Sequence, residues 1–579
     1  MRILFSALHF GLFKNFESVI CLLAERGHNV HLAADVPDSL GNSDLIQALT
    51  ARYPANITWG WIPSYLDEPW FPVAQKIRQG LDWLRFLDDR YRNFPKLRER
   101  SEERVPRALR SFLHIPGMNF AWFRHFLGFV LENIERAMPS CTAMDEYLRT
   151  RCPDVVLLTS VTNSRSPQID HLRSTRAAKI PTGVCVYSWD HLSSKSLIRI
   201  VPETVFVWNE TQRNEAIEMH GLPGDRIVVT GAQCYDQWFD REPSRTHQEF
   251  CISIGLDPNK PFILYLCSVL TPDPRESRFV ERWLQAIRQD AEPVLRDAGI
   301  IIRPHPERQD EWKTIDLSRF ENVVVAGKVP TNDQAKADYF DAVAHSQAVV
   351  GLVTSAFLEA AIVGRPVLTI LDPELWRHQE GMLHFRYLLE VEDGLLTVGR
   401  NLPEHIEQLM CALDGRLLYR ERQKKFLKAF VRPRGMDCPA TPMFVESVEK
   451  LASTQVSKIS TVEAVLSKLA VSVLVWAAHF WPVRSLLMDV REATENRNRT
   501  VRLRESRRQY RRKWRKHRRR KFMMRVRSRW KRVQELIKNN YISKRKWRKH
   551  RRRKFMLRVQ SKLGRVRALF DNRHISKQD

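Results

Sequence analysis

The sequence has no CxxC pair. Its nine cysteines, at 21, 141, 152, 185, 234, 251, 267, 411 and 438, are odd in number and scattered. That argues against a disulfide framework or a zinc ribbon and for reduced thiols in a cytosol. There is no Walker A sequence and no GxGxxG after the first apolar run, and GxSxG, HExxH and EF-hand loops are missing too. P-loop NTPase, serine-hydrolase and zincin chemistry therefore lack their usual signatures. No Asp-x-Asp triplet occurs, and we assign no metal. The segment LAVSVLVWAAHFWPV (469–483) lacks Asp, Glu, Lys and Arg, yet its fifteen residues fall short of the ~20 that span a bilayer. The opening MRILFSALHFGLF has one basic residue and no small-x-small cleavage site. It runs into an amphipathic helix and is read as a strand, not as a signal peptide.

What is present is size and apolar content. The 579 residues are 43% hydrophobic and 10% aromatic, enough for sizeable cores in about three or four structural units. The net charge of +28 is unevenly placed. Residues 491–579 carry 37 Lys and Arg against 6 Asp and Glu, a net of +31, whereas residues 1–490 carry 57 against 60, a net of −3. A near-neutral body is followed by a polycationic tail, and arguments about polyanions belong to the tail.

RILFSA (2–7) reads as a buried strand, LHFGLFKN as a loop, Phe16 to Arg26 as a helix ended by Gly27, and NVHLAA (29–34) as the next strand. This βαβ opening implies a parallel sheet. Apolar runs at 154–160, 182–188, 204–208 and 227–231 continue it, and a mostly helical insertion interrupts it at 62–136. Most of that insertion's aromatics, Trp70, Phe71, Trp83, Phe86, Trp122 and Phe123, are expected in its own core, and some on an acceptor or lipid surface. A second series follows at 262–268, 298–304, 322–327, 348–354 and 366–370. The expected units are thus 1–240, 241–453, a linker and apolar amphipathic segment at 454–490, and the tail at 491–579. Ligands of two such halves bind in a cleft at the carboxyl ends of the strands.

The tail holds a direct repeat, RRKWRKHRRRKFMMRVRS (511–528) and KRKWRKHRRRKFMLRVQS (544–561). It reads as a solvated helical extension, as a patch for anionic head groups, or as a nucleic-acid binder. The apolar segment reads as packed on the body, lying in a membrane interface or spanning.

Two motifs carry chemistry. In IIRPHPERQDEW, Arg303 and His305 follow a strand; the first offers a fork of donors to phosphate, the second a hydrogen bond or a proton. A Pro-bounded loop with a solvent-facing Arg and a capping His has the same spacing. In GLVTSAFLEAAIVGRPVLTI, Thr354 and Ser355 open a helix whose N–H groups suit an anion, and Glu359 lies one turn on, where it can accept from a ribose diol. An ordinary N-cap and a surface Glu fit that pattern as well.

These motifs resemble the GT-B glycosyltransferases, the two-Rossmann superfamily that includes UDP-glycosyltransferases. The Arg-x-His-Pro loop and the Thr-Ser-x-x-x-Glu helix start are similar to the donor site of the CDP-glycerol glycerophosphotransferase branch. VVTGAQCYDQWF (228–239) resembles its segment before the interdomain linker, and SWDHLSSKS (188–196) and VWNETQRNEA (207–216) resemble pieces of related bacterial proteins. The resemblance covers about residues 1–453. It implies an α/β fold of two Rossmann-like parallel-sheet domains facing a cleft, with the tail as a helical basic extension. It implies that Arg303, His305, Thr354, Ser355 and Ser268 face the donor diphosphate and that Glu359 holds the ribose. Helix dipoles and side chains then replace an essential metal, so no cofactor beyond a nucleotide-activated sugar or CDP-polyol donor is expected. His9 is the candidate base, although the family's usual position falls on Phe13. Asp190 is a second base candidate or an orienter of His191. Glu380, Gly381 and His384, in QEGMLHF (379–385), either reach the donor sugar or form a plain loop.

The expected function is transfer of a sugar or polyol phosphate from a nucleotide-activated donor to an envelope or lipid-linked glycan acceptor. The expected location is the cytosol, peripheral at the inner face of the membrane, held by the tail to anionic lipid. A nucleotide-sugar epimerase of the same fold would need acidic and basic residues poised on the sugar face. The rival from another class is an inactive GT-B-like scaffold binding anionic lipid or nucleic acid through the tail.

Overall fold

The computed structural model describes residues 1–456, except 37–42, 64–67, 69, 106–109, 112–119, 164–165, 270–275, 291, 314, 328 and 331, together with 505, 507–509, 512, 523 and 560. The apolar segment and nearly all of the repeat tail, with the helical character expected of it, lie outside the described residues. No helix among the described residues is long and apolar enough to cross a membrane.

Short, continuously apolar runs become strands buried on both faces, as parallel sheets require. The first sheet comprises β1 (Arg2–His9), β2 (Asn29–Val36), β3 (Ile57–Trp61), β4 (Val155–Leu158), β5 (Thr182–Cys185), β6 (Thr204–Val207) and β7 (Ile227–Val229). Their order is β3-β2-β1-β4-β5-β6-β7. The second comprises β8 (Phe262–Leu266), β9 (Gly299–Arg303), β10 (Val323–Val325), β11 (Ala348–Gly351), β12 (Val367–Ile370) and β13 (Thr397–Gly399), in the order β10-β9-β8-β11-β12-β13. All pairings are parallel; Ile3 to Ser6, for instance, sit in register with Val30 to Ala33 on one side and Val155 to Leu158 on the other. In each sheet the strand order reverses beside the first strand, between β1 and β4 and between β8 and β11. Such switch points open a crevice at the carboxyl ends.

The insertion folds as helices Phe71–Phe86, Pro95–Glu102 and Ala121–Arg136. Trp83 is buried in the insertion's own core, but Trp70 and Phe71 are buried in the core of the first sheet and Phe86 in a cluster shared with the second half, and Trp122 is 67% exposed. Arg78 fastens the insertion to the first domain, donating to Glu135 at 2.9 Å and to Asp170 on helix Gln168–Ala177 at 2.6 Å. The chain then crosses back. Helix Ala440–Ala452 leaves the second half and packs on the first sheet, where the Phe444 ring meets those of Phe16 and Phe206 at 5.9 and 4.7 Å. Buried Asp236 secures the crossing by accepting from the N–H groups of Ala440 and Thr441 and from the Thr441 hydroxyl.

Candidate functional site

The two switch points face one cleft of about 1230 Å³. From the first domain, a 3-10 turn (Phe10–Phe16) directly after β1 brings Lys14 and Asn15 to the wall, with Glu17 following. The loop after β5 adds Tyr187 to His191. From the second domain come His305 and Glu307 after β9, Ser355 and Glu359 after β11, and His378 and His384 after β12. Five of the expected residues, Asp190, His305, Ser355, Glu359 and His384, therefore line one space.

His305 is half-buried, and its Nδ1 accepts the N–H of Glu307 at 3.2 Å. Burial lowers its pKa, the Glu307 carboxylate pulls the other way, and the charge of Lys14 lowers it further. A neutral ring with Nδ1 accepting carries its proton on Nε2 and can donate there. Glu359 accepts the Tyr339 hydroxyl on Oε2. Burial raises its pKa, while the Tyr339 hydroxyl, Lys14 and Arg303 pull the other way. Lys14 thus acts on both groups across the cleft. Glu17 and Lys336 bridge the same gap with an ion pair of 3.0 Å.

Arg303 lies behind this wall. Its guanidinium stacks on the Tyr339 ring, 4.3 Å from the centroid. Gly327, at φ +127°, leaves it room, because a Cβ there would collide with the guanidinium. Ser268 is buried: its Oγ accepts the Val353 N–H at 2.9 Å, and its own N–H donates to Glu276 at 2.7 Å. It pins the end of β8 to the segment after β11 and so shapes the crevice floor. The helix after β11 (Ala356–Ile362) does not offer free first-turn donors. The N–H of Ala356 goes to Thr354 Oγ1 at 3.3 Å, that of Phe357 to the Thr354 carbonyl at 3.4 Å, and that of Leu358 to the Ser355 carbonyl at 3.1 Å. Thr354 is a cap, and the exposed Ser355 is the residue of the pair that lines the cleft.

The two base candidates lie in different places. β1 runs on to His9, and the turn that follows carries Lys14 and Asn15 inward; His9 stays half-buried at the strand end, off the cleft wall, and Phe13 is core. Asp190 is on the wall but is tied up by Ser188 at 2.5 Å, Ser194 at 3.2 Å and Lys195 at 3.0 Å. Burial would raise its pKa, yet Lys195, His384 and Ser188 hold it far below the usual carboxylate range. His191 is not bonded to it; its Nδ1 takes the Tyr187 N–H at 3.4 Å. Glu380 lies off the wall, its carbonyl holding Arg386 at 3.1 Å. His384 stands edge-on to Trp189 at 5.1 Å, joining the two domains beside the cleft.

Lys14, Tyr339 and Lys336 were not among the expected residues. Lys14 had a signal, as the one lysine in the loop after the first strand. Tyr339 and Lys336 sit on helix Asp333–His345, far in sequence from either motif. Among the described residues no group of His, Cys, Asp and Glu has the makings of a metal site.

Two Rossmann-like sheets of matching strand order, a cleft between their carboxyl ends and a final helix returning to the first domain define the GT-B fold. No protein-family model and no curated protein matches the sequence. Among solved structures, the chain is similar to a UDP-GlcNAc 2-epimerase from Neisseria meningitidis bound to UDP-GlcNAc, at 14% identity and a TM-score of 0.44, covering 78% of this chain and 100% of that one. A putative UDP-N-acetylglucosamine 2-epimerase from Listeria monocytogenes is similar at 12% identity and a TM-score of 0.46, over 79% and 99% of the two chains. A glycosyltransferase from Rickettsia africae is similar at 10% identity and a TM-score of 0.44, over 78% and 99%.

Proposed function

We propose that this protein is a GT-B transferase that takes a sugar, or a polyol phosphate, from a nucleotide-activated donor. The acceptor in this reading is an envelope or lipid-linked glycan at the inner membrane surface. One observation carries the donor half: Lys14, His305, Ser355 and Glu359 converge at the carboxyl-end crevice between β8 and β11. In this reading the His305 Nε2–H donates to an oxygen of the departing diphosphate, and the Lys14 ammonium offsets the charge that develops there. Ser355 adds a hydroxyl. Glu359, its Oε2 taken by Tyr339, accepts from the ribose diol through Oε1. Each preorganised donor of this kind is worth about 3 kcal/mol of transition-state stabilisation in a dry site. The membrane half rests on the tail, whose Lys and Arg gain roughly 1 kcal/mol each near anionic head groups.

The test is ligand-dependent melting of the full chain with UDP, GDP, CDP, ADP and dTDP. Binding to the native state raises the melting point by mass action. We expect one nucleotide to stabilise the wild type by several degrees and to lose that effect in His305→Ala. No shift with any of the five would refute the transferase reading and favour the scaffold.

A further inference from the structure

A second cavity, of about 260 Å³, opens beside the cleft. Its walls are helices Phe71–Phe86 and Pro95–Glu102 of the insertion and the loops after β4 and β5. Arg100, Ser194 and Lys195 line both spaces, so the two are continuous. We propose that this cavity is an acceptor subsite for an anionic, hydroxyl-bearing group, a phosphorylated or carboxylated sugar.

Charge argues for the anion. Arg100, Arg104 and Lys195 line the cavity, and its one carboxylate, Asp82, is already engaged. Asp82 accepts from Ser196 at 2.6 Å and is paired with Arg199. Lys195 shares its charge with Asp190 on the cleft side. Arg100 makes no hydrogen bond or ion pair with any described residue. Its charge is felt next door, where burial and then Arg100 push Lys96 down to about 8. Glu99, which opposes that effect, is itself paired with Arg377 at 3.3 Å. On this wall Arg100 has no anionic partner among the described residues.

The polar atoms argue for the sugar. Thr162 is 1% exposed, and its buried Oγ1 has no hydrogen-bond partner among the described residues; Gln79 Oε1 is likewise buried and unpartnered among them. Leaving such atoms unpaired costs about 1–3 kcal/mol each. The amide oxygen can only accept, so it calls for a hydroxyl on the occupant and not for a bare oxyanion. A ligand with both features satisfies the guanidinium and the amide together. This inference rests on the reading of the cleft as the donor site, since it makes the neighbouring cavity the acceptor end.

Calorimetry on the full chain tests it with four probes: glucose 6-phosphate, glucuronate, inorganic phosphate and glucose. We expect glucose 6-phosphate or glucuronate to bind at least tenfold tighter than inorganic phosphate, with glucose undetectable; the tighter of the two identifies the anion. Because the basic tail takes up anions by itself, the decisive readout is the variant. Arg100→Ala, at an exposed position, should fold normally and lose at least tenfold in affinity, and Thr162→Val about fivefold. Both should keep the nucleotide-induced melting shift, while His305→Ala should keep the sugar anion and lose the nucleotide. Equal affinities in wild type and Arg100→Ala, or no preference over inorganic phosphate, would overturn the subsite. Sugar-anion binding that depends on Arg100, with no nucleotide binding in the wild type, would leave the subsite standing and remove the transferase.

Discussion

The Tyr339–Glu359 pair shows how one hydroxyl sets what a half-buried carboxylate can do. Burial raises the Glu359 pKa, and the Tyr339 hydroxyl is the first of the groups that restrain the rise. Only the ionised carboxylate accepts from both hydroxyls of a ribose diol. Tyr339→Phe keeps the ring on which Arg303 stacks and removes the donor, so the pKa climbs further. We expect nucleotide affinity to fall about five- to tenfold at neutral pH, in line with the ~1 kcal/mol net worth of a hydrogen bond and somewhat more for a charged acceptor. The sign of the pH dependence follows. Affinity of the variant should recover as pH rises and the carboxyl loses its proton. Glu359→Gln, which cannot titrate, should be weak and lack this component. Titration calorimetry at pH 6, 7 and 8 measures both, and a pH-independent Tyr339→Phe would show that the hydroxyl does not act through Glu359.

Among the elements, the returning helix Ala440–Ala452 joins the two halves without belonging to the second sheet. Phe444 is 1% exposed between Phe16 and Phe206, and Gly231, at φ +91°, lets the Ala440 Cβ approach so closely that a Cβ at 231 would lie 2.8 Å from it. Phe444→Ala leaves a cavity and should cost about 3–5 kcal/mol, read as a lower urea midpoint of the first domain. An unchanged midpoint would mean that the helix is not part of that domain's folding unit. This contact also marks the limit of the sequence reading. Buried strands such as Phe262–Leu266 announce themselves as apolar runs, and eleven of the strands lie where those runs do. β3 and β13 were not marked. Both are edge strands, and β3 (ITWGW) has only Ile57 buried, so its composition carries no strong signal. Nothing in the local sequence of 440–452 says that it crosses back, because its partners lie more than two hundred residues away. The site divides the same way. His305 and Glu359 stand in motifs and could be named, whereas Lys336 and Tyr339 became visible only once the helix bearing them was folded against the cleft.

For the whole molecule, buried ionisable groups set a stability profile with two falling limbs. His31, His171, His191, His384 and His405 are pushed down to about 4 by burial, and burial pushes His220 well down too. In the unfolded chain these rings titrate near 6.5. As pH drops below 6.5 the unfolded state takes up protons that the native state refuses, and stability falls. Carboxyls act in the opposite sense: burial raises Glu203 and Glu359, and raises Glu215 and Glu276 furthest. Glu215, which accepts from Tyr387 of the second domain at 2.7 Å, is pushed up to about 8 by burial, and Glu276 to about 7. Between their unfolded values near 4.5 and these native values the folded state holds protons that the unfolded state has lost. Their contribution is complete at low pH and vanishes as pH rises through 7 and 8. Below 6.5 the lowered histidines outweigh the raised carboxyls, and above it the raised carboxyls dominate, so the urea midpoint should peak near pH 6.5 and decline on both sides. Glu215→Gln separates the limbs: the loss between pH 6.5 and 8 should shrink while the acid limb stays. A midpoint that is flat from pH 5 to 8 would mean that these groups reach water in the native state. An unaltered alkaline limb in the variant would place that proton elsewhere than at the Glu215–Tyr387 junction between the domains.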